Sequence, residues 1–271
     1  MTLRQFRIYN VGIPKTGTAS IAGLFSQYRT GHEFMFGETV EHIIAYYNGQ
    51  IDTGPFKEYL RLRDYQGKLE MDSSSFNHYY LDILEEEFPD AKFIFTIRDC
   101  YSWLNSYLNM LLRWRKGHQT TRSKIPTWQI HYGRFKLGEF DPDDFASPQV
   151  LKLRLPDMLD RFLRCWSEYN SRVLDRLPAE RSIVIRTHEI SESLVKLALF
   201  AGVAENRLAG VAKHSNYGPN KINLLRFIDR DLLEDRCNHY CSNLMNRMFP
   251  EYRLDKFLWF NSLWIKRFCL F

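Results

Sequence analysis

The sequence predicts an α/β protein in which a mainly parallel sheet lies between two layers of helices. Short apolar runs alternate along the chain with segments of helical period, which is the order that βα units produce. The run from Ala91 to Ile97 is almost wholly apolar, as expected for a central strand of a parallel sheet. With 271 residues, 45% of them hydrophobic, the chain is long enough for one large core. We therefore expect a single three-layer α/β/α domain over residues 1–271.

The first predicted strand and helix enclose a turn that suits an anion. Residues 8–13 have the pattern of a buried strand, and helical period resumes at residues 18–25. Backbone N–H groups at the start of a helix have no intrahelical partner and bind anions, and Lys15 adds a positive charge. The candidate phosphate-binding residues are Lys15, Thr16, Gly17, Thr18, Ala19 and Ser20.

This turn differs from the nucleotide-binding P-loop, G-x-x-x-x-G-K-[ST]. Gly12 and Gly17 have the right spacing, but Thr18 and Ala19 occupy the Lys and Ser/Thr positions. The missing hydroxyl would bind Mg²⁺ in an NTPase or kinase, so its absence disfavours both classes. P-K-T-G-T-A-S instead resembles the 5′-phosphosulfate loop of sulfotransferases that use 3′-phosphoadenosine 5′-phosphosulfate (PAPS). The resemblance implies a P-loop-NTPase-like sulfotransferase fold, with Lys15 at the bridging oxygen of the donor and no metal.

Acidic residues accompany the next predicted strand, K-L-E-M. Glu70 and Asp72 share one face at period two and would lie near the carboxyl end of a strand parallel to the first. L-E-M-D-S-S-S resembles a strand end of carbohydrate-type sulfotransferases that carries the catalytic glutamate. The resemblance implies that Glu70 is the base. Asp72 is the first alternative for this role, and His32 and Glu33 are further candidates. Both acidic residues also suit the cap of the following helix.

A second anion site is predicted directly after the strand of residues 91–97. Arg98 ends this strand, and Ser106 follows it by two helical turns (106 − 98 = 8). A guanidinium grips phosphate through two parallel hydrogen bonds, and a serine hydroxyl adds a neutral donor. R-D-C followed by this serine resembles the 3′-phosphate motif of sulfotransferases, which is usually R-D-P, so Cys100 replaces the proline. A salt bridge from Arg98 to Asp99 is the structural alternative.

Residues 111–147 are predicted to be an irregular insertion that helps to form the acceptor site. Regular patterns fade there into a basic and aromatic stretch. The rings that would receive a sugar or an aromatic ring are Trp114, Trp128, Tyr132 and Phe135, and the cations that would meet an anionic acceptor are Arg115, Arg122, Lys124 and Arg134. A solvated loop with buried anchors is equally compatible with this composition.

The last third of the chain contains a further candidate loop and an aromatic tail. Residues 211–223 have no regular period and resemble the late cofactor loop of sulfotransferases, which implies that Lys213 and Tyr217 contact the cofactor. An ordinary loop is the alternative. The tail from residue 257 to the end either packs across the core or forms a surface for homo-oligomers, with an interfacial membrane helix as a third possibility.

Composition limits the remaining classes of function. The charge of +5, from 37 Lys and Arg against 32 Asp and Glu, suits an anionic ligand without implying nucleic acid. The five cysteines include no C-x-x-C pair, so we expect free thiols rather than disulfides or a structural zinc. No signal peptide or transmembrane run is visible, and we expect a cytoplasmic protein of the bacterial, soluble type of sulfotransferase.

The expected reaction is transfer of a sulfuryl group from PAPS to a hydroxyl of a carbohydrate or another small molecule, which leaves the desulfated product PAP. Two other classes stay open. One is a small-molecule kinase that uses Mg-ATP, and the other is a non-catalytic protein that binds nucleotides or RNA.

Overall fold

A parallel five-stranded sheet organises the chain. The computed structural model describes residues 3–208 and 222–252. The strands are β1 (Ile8–Asn10), β2 (Thr30–Gly31), β3 (Met71–Asp72), β4 (Lys92–Ile97) and β5 (Ser182–Arg186). They lie in the order β2-β3-β1-β4-β5, and all four neighbouring pairs are parallel. Their carboxyl ends therefore lie at one edge, where open α/β sheets bind ligands.

Helices connect the strands and cover both faces of the sheet. The α-helices in the described part are α1 (Thr18–Leu24), α2 (Phe36–Tyr47), α3 (Thr53–Gly67), α4 (Leu81–Glu87), α5 (Cys100–Thr121), α6 (Thr127–Leu137), α7 (Pro148–Arg176), α8 (Leu194–Ala201) and α9 (Arg230–Met248). Short 3-10 helices at Asn77–Tyr80 and Thr187–Glu192 matter for the site below.

Alternation along the strands divides the core into two layers. Ile8 and Ile94 point to one face, where they pack with residues of α1 and α8. Tyr9 and Phe93 point to the other face, where the larger core includes residues of α2 to α7 and α9. Successive strand side chains alternate between faces, so these strands are buried on both sides. The predicted three-layer α/β/α architecture is confirmed.

Two regions differ from the prediction. The irregular insertion predicted at residues 111–147 is largely helical, because α5 continues to Thr121 and α6 follows after a short turn. Aromatic packing accounts for α6: Trp128 and Tyr132 stand edge-on against Phe36 of α2, with ring centroids 5.0 and 5.8 Å away. The two-residue strand β2 was not predicted, since its sequence, Thr30-Gly31, reads as a turn.

The cysteines in the described part carry free thiols. Cys100, Cys165, Cys237 and Cys241 are all buried and unpaired, which confirms the expectation for these four. Cys269 lies outside the described residues. Within residues 3–208 and 222–252, no helix combines the length and apolar character that crossing a bilayer requires.

Candidate active site

The candidate site lies at the carboxyl-terminal edge of the sheet, where five strand ends meet. The residues that follow the strands there are the loop of residues 11–17 after β1, His32 after β2, Ser73 after β3, Arg98 after β4 and Thr187 after β5. Hydrogen bonds tie these segments together. The hydroxyl of Ser73 donates to the carbonyl of Thr18 (2.7 Å), which fixes the β3 end against the start of α1.

Two glycines allow the loop after β1 to approach its neighbours closely. A Cβ atom on Gly12 would lie 2.1 Å from Oγ1 of Thr96 and 2.6 Å from the Thr96 carbonyl oxygen. Gly17 has φ 107° and ψ 14°, a left-handed conformation that side chains with a Cβ rarely adopt. The loop therefore depends on glycine at both positions.

Three further side chains hold this loop in place. The indole N–H of Trp103 donates to the Pro14 carbonyl (2.8 Å). The hydroxyl of Thr187 lies 2.6 Å from the Thr16 carbonyl and 3.0 Å from the Ile97 carbonyl, so β5 braces both the loop and the end of β4. None of these supports was anticipated from the sequence, because they join residues that are far apart in the chain.

The start of α1 presents backbone donors at this edge. As first residues of the helix, Thr18, Ala19 and Ser20 have no intrahelical partner for their N–H groups, and no backbone carbonyl elsewhere in the described residues accepts from them. Lys15 lies in the same loop with φ 73°, and its charge helps to lower the pKa of His32. The predicted cradle of donors and positive charge is thus assembled in one place.

Arg98 lies against this cradle. Its Nη1 donates to the carbonyl of Lys15 (3.4 Å), and its Nε donates to the hydroxyl of Ser102 (2.9 Å). Arg98 forms no ion pair with a carboxylate of residues 3–208 or 222–252. Burial lowers the pKa of Arg98, an effect that Asp99 and Tyr252 oppose. A partly buried guanidinium without a carboxylate partner is a suitable binding group for an anion.

Ser102 contacts Arg98, whereas the predicted Ser106 does not hydrogen-bond to it. Ser106 is buried one helical turn further along α5, on the same side as Ser102. Asp99 caps α5 by accepting from the backbone N–H of Ser102 (2.8 Å) and also accepts from its hydroxyl. The sequence signal for Ser102 was Asp99, since an aspartate directly before a predicted helix is typical of an N-cap.

The predicted placement of Glu70 is wrong. Glu70 precedes β3, and its carboxylate accepts from the backbone N–H groups of Gln5 (2.9 Å) and Arg29 (3.1 Å). Both residues come before their strands, so this carboxylate lies at the amino-terminal edge of the sheet, opposite the site. Glu70 also forms an ion pair with the side chain of Arg29 (3.3 Å). The structure thus gives Glu70 a role in joining strand ends.

Asp72 lies at the correct edge, but its carboxylate is already engaged. It forms a buried ion pair with Arg63, in which each side chain is 4% exposed. Its second oxygen accepts from the hydroxyl of Ser74 (2.6 Å), and Arg63 also donates to the Phe34 carbonyl (3.1 Å). A carboxylate held in this way is a structural anchor rather than an available base.

The structure brings the other two base candidates, His32 and Glu33, to the site. His32 Nε2 lies 3.3 Å from the hydroxyl of Thr18, at the start of α1, and 3.8 Å from Oε1 of Glu33. Burial lowers the pKa of His32, and the charge of Lys15 lowers it further while Asp72 opposes both effects. His32 is therefore neutral near pH 7 and able to accept a proton.

Glu33 has the features of a poised carboxylate. Its Oε1 accepts from the backbone N–H of Ser75 (3.1 Å), whereas its Oε2 is buried and has no hydrogen-bond partner in the described residues. Burial raises the pKa of Glu33. Its backbone is left-handed, with φ 58°, a strained conformation for a non-glycine residue.

The remaining predicted residues are distributed as follows. Tyr132 and Phe135 pack against Tyr79, and Trp128 packs on Phe36 of α2. Trp114 bonds instead to the side chain of Gln129 (2.9 Å), and Arg115 pairs with Asp143. Arg122, Lys124 and Arg134 are exposed. Lys213, Tyr217 and the aromatic tail lie outside the described residues.

Comparisons with known proteins agree with this architecture. A family model described as a sulfotransferase domain matches residues 7–204, which include all five strands and every strand-end loop named above. No curated protein matches the chain.

Similar solved structures are also sulfotransferases. One from Alicyclobacillus acidocaldarius is 15% identical over 90% of this chain and 95% of that chain, with a TM-score of 0.46. STF9 from Mycobacterium avium is 13% identical over 90% and 77%, with a TM-score of 0.47. A sulfotransferase domain from the curacin biosynthetic pathway is 14% identical over 90% and 98%, with a TM-score of 0.41.

Proposed function

Because the chain belongs to the sulfotransferase domain family, we propose that it transfers a sulfuryl group from PAPS to a hydroxyl of a small-molecule acceptor and releases PAP. The observation that carries this proposal is the contact between Arg98 and the Lys15 carbonyl, which joins the two predicted anion sites although 83 residues separate them. Arg98, the loop that carries Lys15 and a helix start thus converge where a donor with phosphates at the 3′ and 5′ positions of its ribose would bind.

Each part of the donor has a suitable partner at this edge. The N–H groups of Thr18, Ala19 and Ser20 would hold the 5′-phosphosulfate, with Lys15 beside it. Arg98 would hold the 3′-phosphate, while Ser102 orients the guanidinium through its bond to Nε. Ser106, one turn further along α5, would supply a neutral hydroxyl to the same nucleotide. PAPS itself would supply the activated sulfuryl group.

We assign proton removal to Glu33. The acceptor hydroxyl loses its proton to Oε2 of Glu33 while its oxygen bonds to sulfur, and the bond from sulfur to the 5′-phosphate oxygen breaks with its electron pair on the phosphate. Lys15 then offsets the charge that develops on that oxygen. The raised pKa of Glu33 suits a base that works near neutral pH.

Calorimetry tests the donor assignment. A hydrogen bond to a charged group contributes about 1.5–3 kcal/mol, so a bidentate arginine gives PAP a preference over adenosine 5′-phosphate of at least ~100-fold. The preference should collapse in Arg98→Ala. It should persist in Arg113→Ala, which removes an exposed arginine from the same helix. Equal affinity of the parent protein for the two nucleotides would refute the proposal.

Mass spectrometry tests the base assignment. With PAPS and a panel of hydroxylated acceptors, Glu33→Gln should bind PAP like the parent and lose ~100-fold to 10,000-fold in sulfated product, the range for a proton-transferring group. His32→Gln should lose less. A mild effect of Glu33→Gln together with a severe effect of His32→Gln would transfer the role of base to His32.

A further inference from the structure

A buried lysine surrounded by aromatic rings lies beside Glu33, and this cluster has no part in the donor site. Its centre is Lys136 of α6, whose ammonium lies 4.6 Å from the ring centroid of Tyr107 and 5.0 Å from that of Tyr132. We refer to this cluster as the Lys136 cage; its members are His78, Tyr79, Tyr107, Tyr132, Lys136 and Tyr169. Ring contacts connect them, including His78 to Tyr79 at 4.0 Å and Tyr79 to Tyr169 at 5.2 Å.

The described residues around Lys136 balance its charge only in part, and Glu33 carries a carboxylate whose charge interacts with it. The residue is 9% exposed, its ammonium donates to the hydroxyl of Tyr107 (2.5 Å), and no carboxylate in the described part of the chain lies within ion-pair distance. Burial lowers the pKa of Lys136, whereas Tyr107 and Cys165 raise it, and the net shift is upward. A phenol and two ring faces compensate a buried cation only in part.

Several polar atoms around this cation also lack partners. Both ring nitrogens of His78 are buried without a hydrogen bond in the described residues, as is Oε2 of Glu33. Burial lowers the pKa of His78 well below its ordinary value, with Lys136 and Arg172 adding to the effect, so this ring is neutral. Native proteins leave few buried polar groups unsatisfied, and their concentration here indicates a place where a ligand completes the bonding.

From this arrangement we infer that the Lys136 cage is the acceptor site and that the acceptor is an aromatic hydroxy acid. Lys136 binds the carboxylate, the tyrosine rings pack against the aromatic body, and the hydroxyl lies next to Glu33. The inference rests on the proposed sulfotransferase function. It narrows the acceptor from any hydroxyl compound to one that carries negative charge.

Binding of matched acids and amides tests the inference. The parent protein, saturated with PAP, is titrated with 4-hydroxybenzoate, 4-hydroxyphenylacetate and 4-coumarate, and then with the corresponding uncharged amides. We expect at least one acid to bind ~10-fold or more tightly than its amide. Lys136→Met should abolish this preference, and the exposed-site control Lys152→Met should retain it. Failure of all three acids to bind, or the same preference in Lys136→Met, would overturn the inference.

Failure of this inference is distinguishable from failure of the proposed function. PAP binding to the parent protein is measured first, and its absence would refute the donor assignment. The acid and amide titrations of the free protein would still report on Lys136. Sulfation of neutral acceptors as fast as acidic ones would instead leave the sulfotransferase assignment intact and refute the role of Lys136.

A stability measurement separates ligand binding from a structural role. If the charge of Lys136 awaits a ligand, Lys136→Met removes an uncompensated buried ion and the unfolding midpoint of the free protein should rise. Saturating acid should raise the midpoint of the parent protein but not that of the variant. A lower midpoint in free Lys136→Met would show that the ammonium serves the fold through Tyr107 and would overturn the inference.

Discussion

The buried ion pair of Arg63 and Asp72 allows a direct test of which acidic residues in this site stabilise the fold and which take part in the reaction. Sequence patterns placed Asp72 among the candidate bases, whereas the structure places it in an ion pair in which each side chain is 4% exposed. Asp72→Asn keeps the size of the side chain and removes its charge. Arg63 then remains buried opposite a neutral group, with the Phe34 carbonyl and the Ser74 hydroxyl as its other polar contacts.

The expected cost follows from the burial of this pair. Removing one partner of a buried ion pair destabilises a protein by about 3–5 kcal/mol. For a chain of this size, each kcal/mol lowers the melting temperature by about 2–4 °C, so Asp72→Asn should melt about 6–20 °C below the parent protein. Asp90→Asn is the matched control because Asp90 pairs with Arg7 but is 69% exposed, and exposed pairs contribute about 0–1 kcal/mol.

Thermal unfolding followed by circular dichroism, with turnover measured well below the transition, distinguishes the two roles of Asp72. A structural role predicts a large loss of stability and retained turnover in the protein that stays folded. The double variant Arg63→Met with Asp72→Leu should recover much of the loss, because an apolar pair of similar volume often replaces a buried ion pair without cost. A parent-like melting temperature combined with lost turnover in Asp72→Asn would refute this reasoning.

Three further outcomes are expected. Gly12→Ala should lose about 1–3 kcal/mol of stability because its Cβ would lie 2.1 Å from Oγ1 of Thr96. The control Gly117→Ala places its Cβ in open space within α5 and should gain about 0.5–1 kcal/mol. Urea unfolding measures the stability of both variants. Because the pKa of Glu33 is higher in the folded protein, ionisation of Glu33 lowers stability as pH rises from its unfolded-state pKa through its folded-state pKa. The urea midpoint of Glu33→Gln should therefore exceed that of the parent protein by an amount that grows between about pH 4 and 8. A difference that stays constant with pH would contradict this. Thr187→Val should lose about 1–3 kcal/mol and weaken PAP binding, because its hydroxyl braces the Thr16 and Ile97 carbonyls; unchanged affinity in calorimetry would show that the brace is dispensable.

The parts of the site that the sequence predicted are local. The loop around Lys15 and the position of Arg98 depend on a strand, a turn and a helix that follow one another directly, so apolar period and glycine spacing were sufficient to find them. Their contact across 83 residues follows from the neighbouring positions of β1 and β4 in a parallel sheet. The three-layer fold was predictable for the same reason, since the order of apolar runs and helical segments implies it.

The parts that were not predicted depend on register and on distant partners. Glu70 and Asp72 share a face, but two residues span about 7 Å along a strand, which is enough to place Glu70 before the two-residue strand β3 and Asp72 at its carboxyl end. No pattern in the sequence pairs Asp72 with Arg63, because α3 brings the arginine from another element. The sequence did not predict helix α6, because its apolar residues lie on two different faces. One face packs against α2 and the other contributes to the Lys136 cage, so the apolar residues do not follow a single helical period.

The buried cations of this site are of two kinds, those that have a carboxylate partner and those that do not. Arg63 has a carboxylate partner, and its bonds join α3 to the end of β3. Arg98 and Lys136 are cations without a carboxylate at ion-pair distance in residues 3–208 and 222–252, and the charge of Lys136 acts on Glu33. Two such charges without an ion-pair partner cost the fold stability, so on the proposed function we expect each to receive an anion from a ligand. The proposed donor would bring one to Arg98, and the proposed acceptor would bring the other to Lys136, with its hydroxyl next to Glu33.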